Sequence, residues 1–224
     1  DAWITVLKNY GTMSFGEVAS SAIKYAREGI TVHPTMSKFL SRYQENYRMW
    51  PSNSNIWQKN GHPLEVGDLL IQTDLAASIQ FMADQEAAAM KDGREKGLQA
   101  ARDAFYVGDI ASKIVKYHKE NGGLLTADDM ASYRTPIEKP LSISFRGTEV
   151  YSCRPWCQGP VLLQMLNMLN NIDLKAKGHN STDYIHYLAE TIKLSFADRE
   201  RYYGDPNFVD VPVEKLLSSE FARQ

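Results

Sequence analysis

Several features are scarce or missing in this sequence, and each absence narrows the class of protein. The chain has only 2 cysteines among its 224 residues, too few for a small secreted domain held together by disulfides. It has no run of about eighteen apolar residues, so no membrane span is predicted. Its first residues lack the basic segment followed by an apolar one that marks a signal peptide. A targeting segment in front of Asp1 would not be seen in this sequence, so cytoplasmic and periplasmic or secreted locations both remain open.

The charge pattern excludes a further class of partner. The formal net charge is −2, and acidic and basic residues are interspersed along the chain. No basic face is available to attract a phosphate polymer, so we expect no nucleic-acid partner. Cys153 and Cys157 are four residues apart, without a CxxC pattern or a second cluster, which is a poor zinc signature. We therefore predict no metal and no other cofactor.

What the chain does contain is a sizeable apolar fraction, 43%, arranged mostly at helical spacing. Ser14 and Glu17 form an S-x-x-E capping box that predicts a helix ending at Gly29. Thr126 and Asp129 predict a second capping box and a short helix. The apolar face expected for the first of these helices consists of Val18, Ala22 and Tyr25.

Other helical segments follow from the same periodicity. One stripe predicts a helix that ends before Pro51, and its members are Met36, Phe39, Leu40, Tyr43 and Tyr47. Residues 51–67 are polar and rich in turn formers, so we expect a surface loop anchored by Trp57. Asp74 is the expected N-cap of a long alanine-rich stretch, which Gly93 and Gly97 are expected to divide into a helix, a break and a shorter helix. Asp109 is the expected cap of the next helix.

The periodicity changes from helical to alternating at Leu141. Apolar and polar residues alternate through Phe145, Arg146-Gly147 is a turn signal, and alternation resumes up to Cys153. This pattern predicts a β-hairpin. It is the clearest strand signal in the chain.

The loop from Arg154 to Pro160 is the first candidate site. It joins the hairpin to a predicted helix whose buried stripe would be Leu162, Met165, Leu166 and Leu169. Such a strand-to-helix turn can direct backbone N–H groups at a carboxylate or an oxyanion. We therefore predict a pocket wall built from Trp156, Gln158 and Gly159. Cys157 allows a sharper alternative, a thiol nucleophile, but no histidine is linked to it by sequence, so a packed or wall-forming cysteine is favoured.

The last long helix carries a second candidate. Asp183, His186 and Glu190 share one face and have metal-ligand chemistry, but a solvated stripe in which Lys193 pairs with Glu190 is favoured. A different face is predicted to enter the core, and its members are Ile185, Leu188, Ile192 and Phe196. Asp198 and Arg201 are expected to form an ion pair, and a Gly-Asp-Pro stop follows.

Seven segments in order resemble one known family. They are FYVGDIASKIV, NGGLLTADDMASYR, PLSISFRGTEVYS, LLQMLNMLN, GHNSTDYIHYLAETIKLSFADR, YYGDPNFVDVP and LLSSEFA. In this order they resemble the large subunit of γ-glutamyltransferases (γ-glutamyl transpeptidases), which are N-terminal-nucleophile hydrolases. Two departures indicate a divergent subgroup. Arg-Pro-Trp-Cys-Gln-Gly-Pro replaces a Pro-Pro-Pro-Ser-Ser-Gly-Gly-like loop, and the stretch from Ala87 to Ala101 is longer than usual.

The resemblance implies an α+β fold, namely the mostly helical portion of an αββα four-layer sandwich. The whole chain is expected to be a large-subunit segment of one such domain. Its expected parts are a helical part at 1–135, a hairpin and loop at 136–160, and two helices with a tail at 160–224. It also implies a precursor that cleaves itself, with a small subunit as partner and a γ-glutamyl or other amide as small-molecule substrate. The nucleophile is then a threonine that begins the small subunit, and no catalytic residue is expected in this chain.

Three alternatives remain open. The same fold can serve an acylase or amidohydrolase that acts on cephalosporin-type or oxamate-type substrates. A cysteine hydrolase would use Cys157. A catalytically inactive relative would keep the fold as a binding or structural module.

Overall fold

The computed structural model describes residues 1–224, and the chain separates into two compact units, residues 1–135 and residues 136–224. The first unit is almost entirely helical. Its α-helices, in chain order, are α1 Ala2–Tyr10, α2 Phe15–Glu28, α3 Pro34–Arg42, α4 Gln44–Arg48, α5 Pro51–Trp57, α6 Thr73–Ala89, α7 Arg94–Tyr106, α8 Asp109–Glu120 and α9 Ala127–Ser132. Its strands have two residues each and are β1 Ile30–Thr31, β2 Gln58–Lys59, β3 His62–Pro63 and β4 Leu69–Leu70.

Both predicted capping boxes are confirmed. The Ser14 hydroxyl accepts from the Glu17 amide and the Glu17 carboxylate accepts from the Ser14 amide, and Thr126 and Asp129 repeat the arrangement at α9. The apolar face expected for α2 is wrong, since Val18 is 47% exposed. The buried residues of this helix are Ala19 and Ile23, because α6 packs on that side.

A buried carboxylate ties α6 to the start of α2. The Glu86 carboxylate is 2% exposed and accepts from the amides of Phe15 and Gly16, at 2.8 Å each. These amides belong to the first turn of α2, where the helix dipole favours negative charge. The break predicted at Gly93 is confirmed, because a short 3₁₀ turn at Met90–Asp92 separates α6 from α7. The break predicted at Gly97 is wrong, since Gly97 is a buried residue within α7.

The prediction for residues 51–67 is partly wrong. Instead of a loop, the segment forms the two-turn helix α5 and the small hairpin of β2 and β3. Pro51 starts α5, where its missing N–H costs nothing. Trp57 does anchor the segment, since it packs against the buried cluster of Val32, Leu40, Leu64 and Leu70.

The second unit begins with the predicted hairpin, which is confirmed. Strands β5 Leu141–Phe145 and β6 Thr148–Ser152 pair antiparallel, with Leu141 opposite Ser152 and Phe145 opposite Thr148. Arg146 and Gly147 both have positive φ, 51° and 83°, as a two-residue turn of type I′ requires. The remaining elements are α10 Gly159–Leu169, α11 Leu174–Lys177, α12 Thr182–Tyr202, α13 Val213–Leu216 and a 3₁₀ turn at Phe221–Arg223.

The stripe predicted to be buried on α10 is partly confirmed, and the one predicted on α12 is mostly wrong. On α10, Leu169 is buried, Met165 and Leu166 are half-buried, and Leu162 is 47% exposed. Leu163 and Gln164, which were not predicted, are buried. On α12 the buried residues are Thr191 and Ser195. The expected core stripe of α12 lies mostly outside, with Ile185, Ile192 and Phe196 at 54%, 41% and 39% exposure and Leu188 half-buried. The residues that α12 buries are therefore small and polar, whereas most of its apolar stripe remains exposed.

No helix combines the length and the apolar character that a crossing of the lipid bilayer would need.

Candidate functional site

The loop between β6 and α10 is held in a compact turn by its own backbone. The Cys157 amide donates to the Arg154 carbonyl at 3.1 Å. Gly159, the first residue of α10, lies against the end of the hairpin: a Cβ atom there would be 2.2 Å from the Cys153 carbonyl oxygen. Pro160 follows in the first turn of the helix, where its missing N–H costs nothing. Glycine at this position therefore allows β6 and α10 to come into contact. The residues between them, 154–158, form a loop that projects from this contact.

Trp156 lies at the outer edge of this loop. Its side chain is 56% exposed, and its indole N–H donates to the Glu138 carboxylate at 2.5 Å. On one side of it lies a cavity of about 230 Å³. The residues that line this cavity are Pro155, Trp156, Cys157, Gln158, Arg199, Glu200, Tyr203 and Gly204.

The predicted wall residues are thus only partly brought together. Trp156 and Gln158 line the cavity, whereas Gly159 is buried behind it against Cys153. That these residues contact a substrate stays a prediction. Two further polar residues of the cavity, Arg199 and Tyr203, were not predicted as site residues. They lie at the end of α12, in the segments LSFADR and YYGDP, and only the fold shows that this helix end faces the loop.

A polar network joins α10 to the end of α12 beside the cavity. The Tyr203 hydroxyl donates to the Gln164 side-chain oxygen at 3.2 Å, and the Gln164 amide group donates to the Asp198 carboxylate. Asp198 therefore bonds to Gln164, and the predicted ion pair with Arg201 is wrong. Since Gln164 is only 2% exposed, its two bonds satisfy a polar group inside the unit.

The Tyr203 phenol gives this network a measurable pH dependence. Burial, and to a lesser extent the Asp198 carboxylate, raise the pKa of Tyr203 from 10.0 to about 12. Because the folded state favours the neutral phenol, its stabilising contribution is complete below pH 10 and is lost as the pH rises towards 12.

We expect the free energy of unfolding to fall between pH 10 and 12 by about 1 to 2 kcal/mol more in the wild type than in a Tyr203→Phe variant. Urea titrations at several pH values in this range measure the difference. Parallel pH profiles for the two proteins would contradict the burial of a neutral phenol.

A second, wider cavity of about 740 Å³ lies on the other side of the loop. Arg154 and Pro155 form one wall, and the segment from Pro206 to Lys215 forms the rest. The charged residues that line this cavity are of both signs, namely Arg154, Asp210, Glu214 and Lys215.

The candidate metal face of α12 is an ion-paired surface. Lys193 Nζ lies 2.8 and 3.1 Å from the two oxygens of Glu190, which confirms the predicted pair. This ammonium group lowers the pKa of the Glu190 carboxyl. Asp183 lies 4.0 Å from Lys177, at the limit of an ion pair. No three His, Cys, Asp or Glu side chains of the chain are grouped as metal ligands.

Comparisons with known proteins agree over the full length of the chain. The family model for gamma-glutamyltranspeptidase matches residues 1–224. The glutathione hydrolase proenzyme of Escherichia coli strain K12 is 36% identical over 219 residues, which are 97% of this chain and 35% of that protein. The acylase ACY 1 proenzyme of Pseudomonas sp. strain SE83 is 33% identical over 221 residues, 98% of this chain and 37% of that protein.

A solved structure shows the same fold. The crystal structure of Helicobacter pylori gamma-glutamyltranspeptidase superimposes with a TM-score of 0.86 at 32% identity, covering 98% of this chain and 59% of that one. The chain therefore spans little more than a third of these two curated relatives.

Proposed function

This chain belongs to the γ-glutamyltranspeptidase family, and on that premise we propose that it is the large-subunit segment of an enzyme that hydrolyses or transfers γ-glutamyl amides such as glutathione. The observation that carries the proposal is the match of the family model from the first residue to the last. The similarity to a glutathione hydrolase proenzyme over 97% of the chain supports the γ-glutamyl substrate.

The nucleophile of this enzyme lies outside the chain. In the proposed mechanism, a threonine at the start of the small subunit attacks the amide carbonyl, and its own α-amino group accepts the proton. The geometry around Cys157 supports this assignment, because none of the residues that line its cavity is a histidine that could activate the thiol.

The surface of α12 supports a small subunit as partner. Ile185, Ile192 and Phe196 form a stripe of large apolar side chains that remain exposed in the chain by itself. A surface helix normally buries such a stripe. The relatives are named as proenzymes, and this chain spans only 35% and 37% of them, which supports a second processed part of the precursor as the partner of this face.

The contribution of this chain to substrate binding is a wall of the pocket. Trp156 supplies an apolar surface, which its N–H bond to Glu138 helps to hold in place, and Gln158 supplies an amide. Gly159 keeps the loop close to the hairpin. The Arg199 guanidinium lines the same cavity and has the charge that a substrate carboxylate needs.

An acylase is the second candidate, and it keeps the same fold and nucleophile. The 33% identity to an acylase proenzyme favours it. The loop favours it as well, because Trp156 stands where the family-like Pro-Pro-Pro-Ser-Ser-Gly-Gly pattern has a proline. A bulky indole beside the pocket suits an apolar acyl group better than an amino acid.

The test compares amide substrates with the complete two-subunit protein and with the isolated chain. We expect the complete protein to release nitroaniline from γ-glutamyl-p-nitroanilide faster than from glutaryl-p-nitroanilide, and the isolated chain to release none. Trp156→Ala should raise the KM by about tenfold, equivalent to about 1.4 kcal/mol of binding. Tyr117→Ala, a change of an exposed tyrosine on α8, is the matched control and should leave KM unchanged.

Each other result selects an alternative. Preference for the glutaryl substrate identifies an acylase. Loss of all activity in Cys157→Ala identifies a cysteine enzyme, and turnover by the isolated chain places the nucleophile within it. Absence of activity from the complete protein on every amide favours a binding relative.

A further inference from the structure

The open end of the hairpin brings Glu138 beside Trp156. Glu138 lies just before β5 and Trp156 lies just after β6. Because these strands are antiparallel, with Leu141 opposite Ser152, the two flanking segments leave the hairpin at the same end. There the Glu138 carboxylate accepts from the indole N–H at 2.5 Å.

Proline restrains the backbone on both sides of this bond. Pro136 and Pro140 flank Glu138, and Pro155 directly precedes Trp156. A proline ring fixes its own φ near about −65° and also restricts the residue before it. The freedom that the bond removes is therefore mainly that of the two side chains.

The bond to Glu138 is the only hydrogen bond of the Trp156 side chain. Indole has one donor and no acceptor, and this ring stacks on no other aromatic ring of the chain. Glu138 belongs to none of the ion pairs of the chain, so its carboxylate has no competing cation. Since the indole is 56% exposed, loss of the carboxylate would leave it free to change rotamer.

Trp156 stands between two hollows of the second unit. One is the loop cavity of about 230 Å³, which Arg199 and Tyr203 also line. The other is a hollow of about 370 Å³ beside the hairpin, which Pro140 and Tyr151 also line. No other residue lines both. The indole is therefore the partition between them, and a turn of the ring changes the shape of each.

We propose that Glu138 is a positioning residue that holds the Trp156 indole at this partition and out of the loop cavity, so that the cavity stays open to the acyl group of the substrate. The proposal rests on the proposed function, because it takes the loop cavity as part of the substrate pocket. Without Glu138, the indole and the acyl group compete for the same space.

Competition of this kind changes substrate binding and not the chemical step. If the ring is out of the cavity for only a fraction of the time, the apparent affinity falls by that fraction. A saturating substrate fills the cavity and keeps the ring out, so the bound enzyme reacts at its normal rate. The effect therefore appears in KM and not in kcat.

The test measures both constants for γ-glutamyl-p-nitroanilide with the complete two-subunit protein. Glu138→Ala should raise KM about fivefold, the factor that one hydrogen bond of ordinary net strength supplies, and should leave kcat within about twofold. Glu138→Gln keeps an acceptor oxygen, so its KM should stay within about twofold of the wild type. The matched control is Glu149→Ala on β6, an exposed glutamate that lines neither hollow and should leave KM unchanged.

A second readout follows the indole itself and needs no substrate. The NMR signal of the Trp156 indole N–H is identified as the one that is missing from Trp156→Phe. In Glu138→Ala we expect this signal to move upfield and the N–H to exchange faster with water, because its acceptor is gone. In Glu138→Gln the signal should stay close to its wild-type position. In the Trp156→Phe background, which has no indole donor, Glu138→Ala should cause no further rise in KM.

The outcomes separate this proposal from the proposed function. An indole signal that is the same in Glu138→Ala as in the wild type would overturn the proposal, and so would an unchanged KM in an active variant. A fall in kcat at constant KM would overturn it too, since a role in the chemical step would replace positioning. A wild type that turns over no amide would overturn the proposed function itself, and the proposal with it. Circular dichroism of each variant verifies that the fold is retained.

Discussion

Replacing Arg102 with methionine should lower the free energy of unfolding by about 3 to 5 kcal/mol, the cost of leaving one partner of a buried ion pair alone. Arg102 of α7 and the Asp1 carboxylate are both 4% exposed, and the guanidinium bonds to that carboxylate and to the Tyr133 carbonyl. The Arg102 guanidinium also stacks over the Tyr106 ring, with its Cζ atom 4.7 Å from the ring centroid. Urea unfolding of the variant measures the loss.

Arg102 contributes more than its charge, because its planar guanidinium donates to oxygens of Asp1, Tyr133 and Asp103 and also stacks on the Tyr106 ring. Lysine keeps the charge without the fork, so Arg102→Lys should recover only part of the loss. The matched control is the exposed pair of Lys193 and Glu190, where Lys193→Met should cost less than about 1 kcal/mol. If Arg102→Met and Lys193→Met lower the free energy of unfolding by similar amounts, burial does not determine how much the Arg102–Asp1 pair stabilises the fold.

Gly159→Ala is the second change with a large expected effect, a loss of about 3 kcal/mol or more in the free energy of unfolding. A Cβ atom at this position would lie 2.2 Å from the Cys153 carbonyl oxygen and 2.7 Å from the Cys153 amide nitrogen. Both are backbone atoms, so no side-chain rotation can relieve the overlap. Either the hairpin or the start of α10 must move, and the loop with Trp156 moves with it.

The neighbouring residue provides the control for this change. Gln158 is exposed and makes no capping bond to α10, so Gln158→Ala should alter stability by less than about 0.5 kcal/mol. The difference between these two single-residue changes isolates the backbone contact. If Gly159→Ala is as stable as the control, strand and helix do not meet at Cys153 as closely as the structure shows.

Local signals in the sequence were reliable predictors of element type. Two kinds of local signal were confirmed, the capping boxes at Ser14 and Thr126 and the alternation around Arg146-Gly147. Each depends on contacts between residues only a few positions apart, so the residues of the motif make the contacts themselves. Residues 51–67 were the exception. Their turn-forming composition did not reveal that packing of Trp57 on a distant cluster would stabilise a helix and a small hairpin there.

Burial was harder to predict than helicity. The stripe of Ile185, Ile192 and Phe196 has the spacing of a core face, yet Thr191 and Ser195 are the residues that α12 buries within the chain. Periodicity shows that a helix has an apolar face but not which neighbour covers it. For the same reason, Arg199 and Tyr203 could not be assigned to the loop cavity before the fold was known.

The sequence alone determined the family, the helical character and the hairpin. The reason is that motifs and short-range contacts involve residues that are close together in the sequence. Only the tertiary structure decided that the end of α12 faces the Trp156 loop, and that Gly159 lies behind this loop and not in its wall. These two facts depend on how separate elements pack, and packing is a property of the whole fold that no single segment encodes.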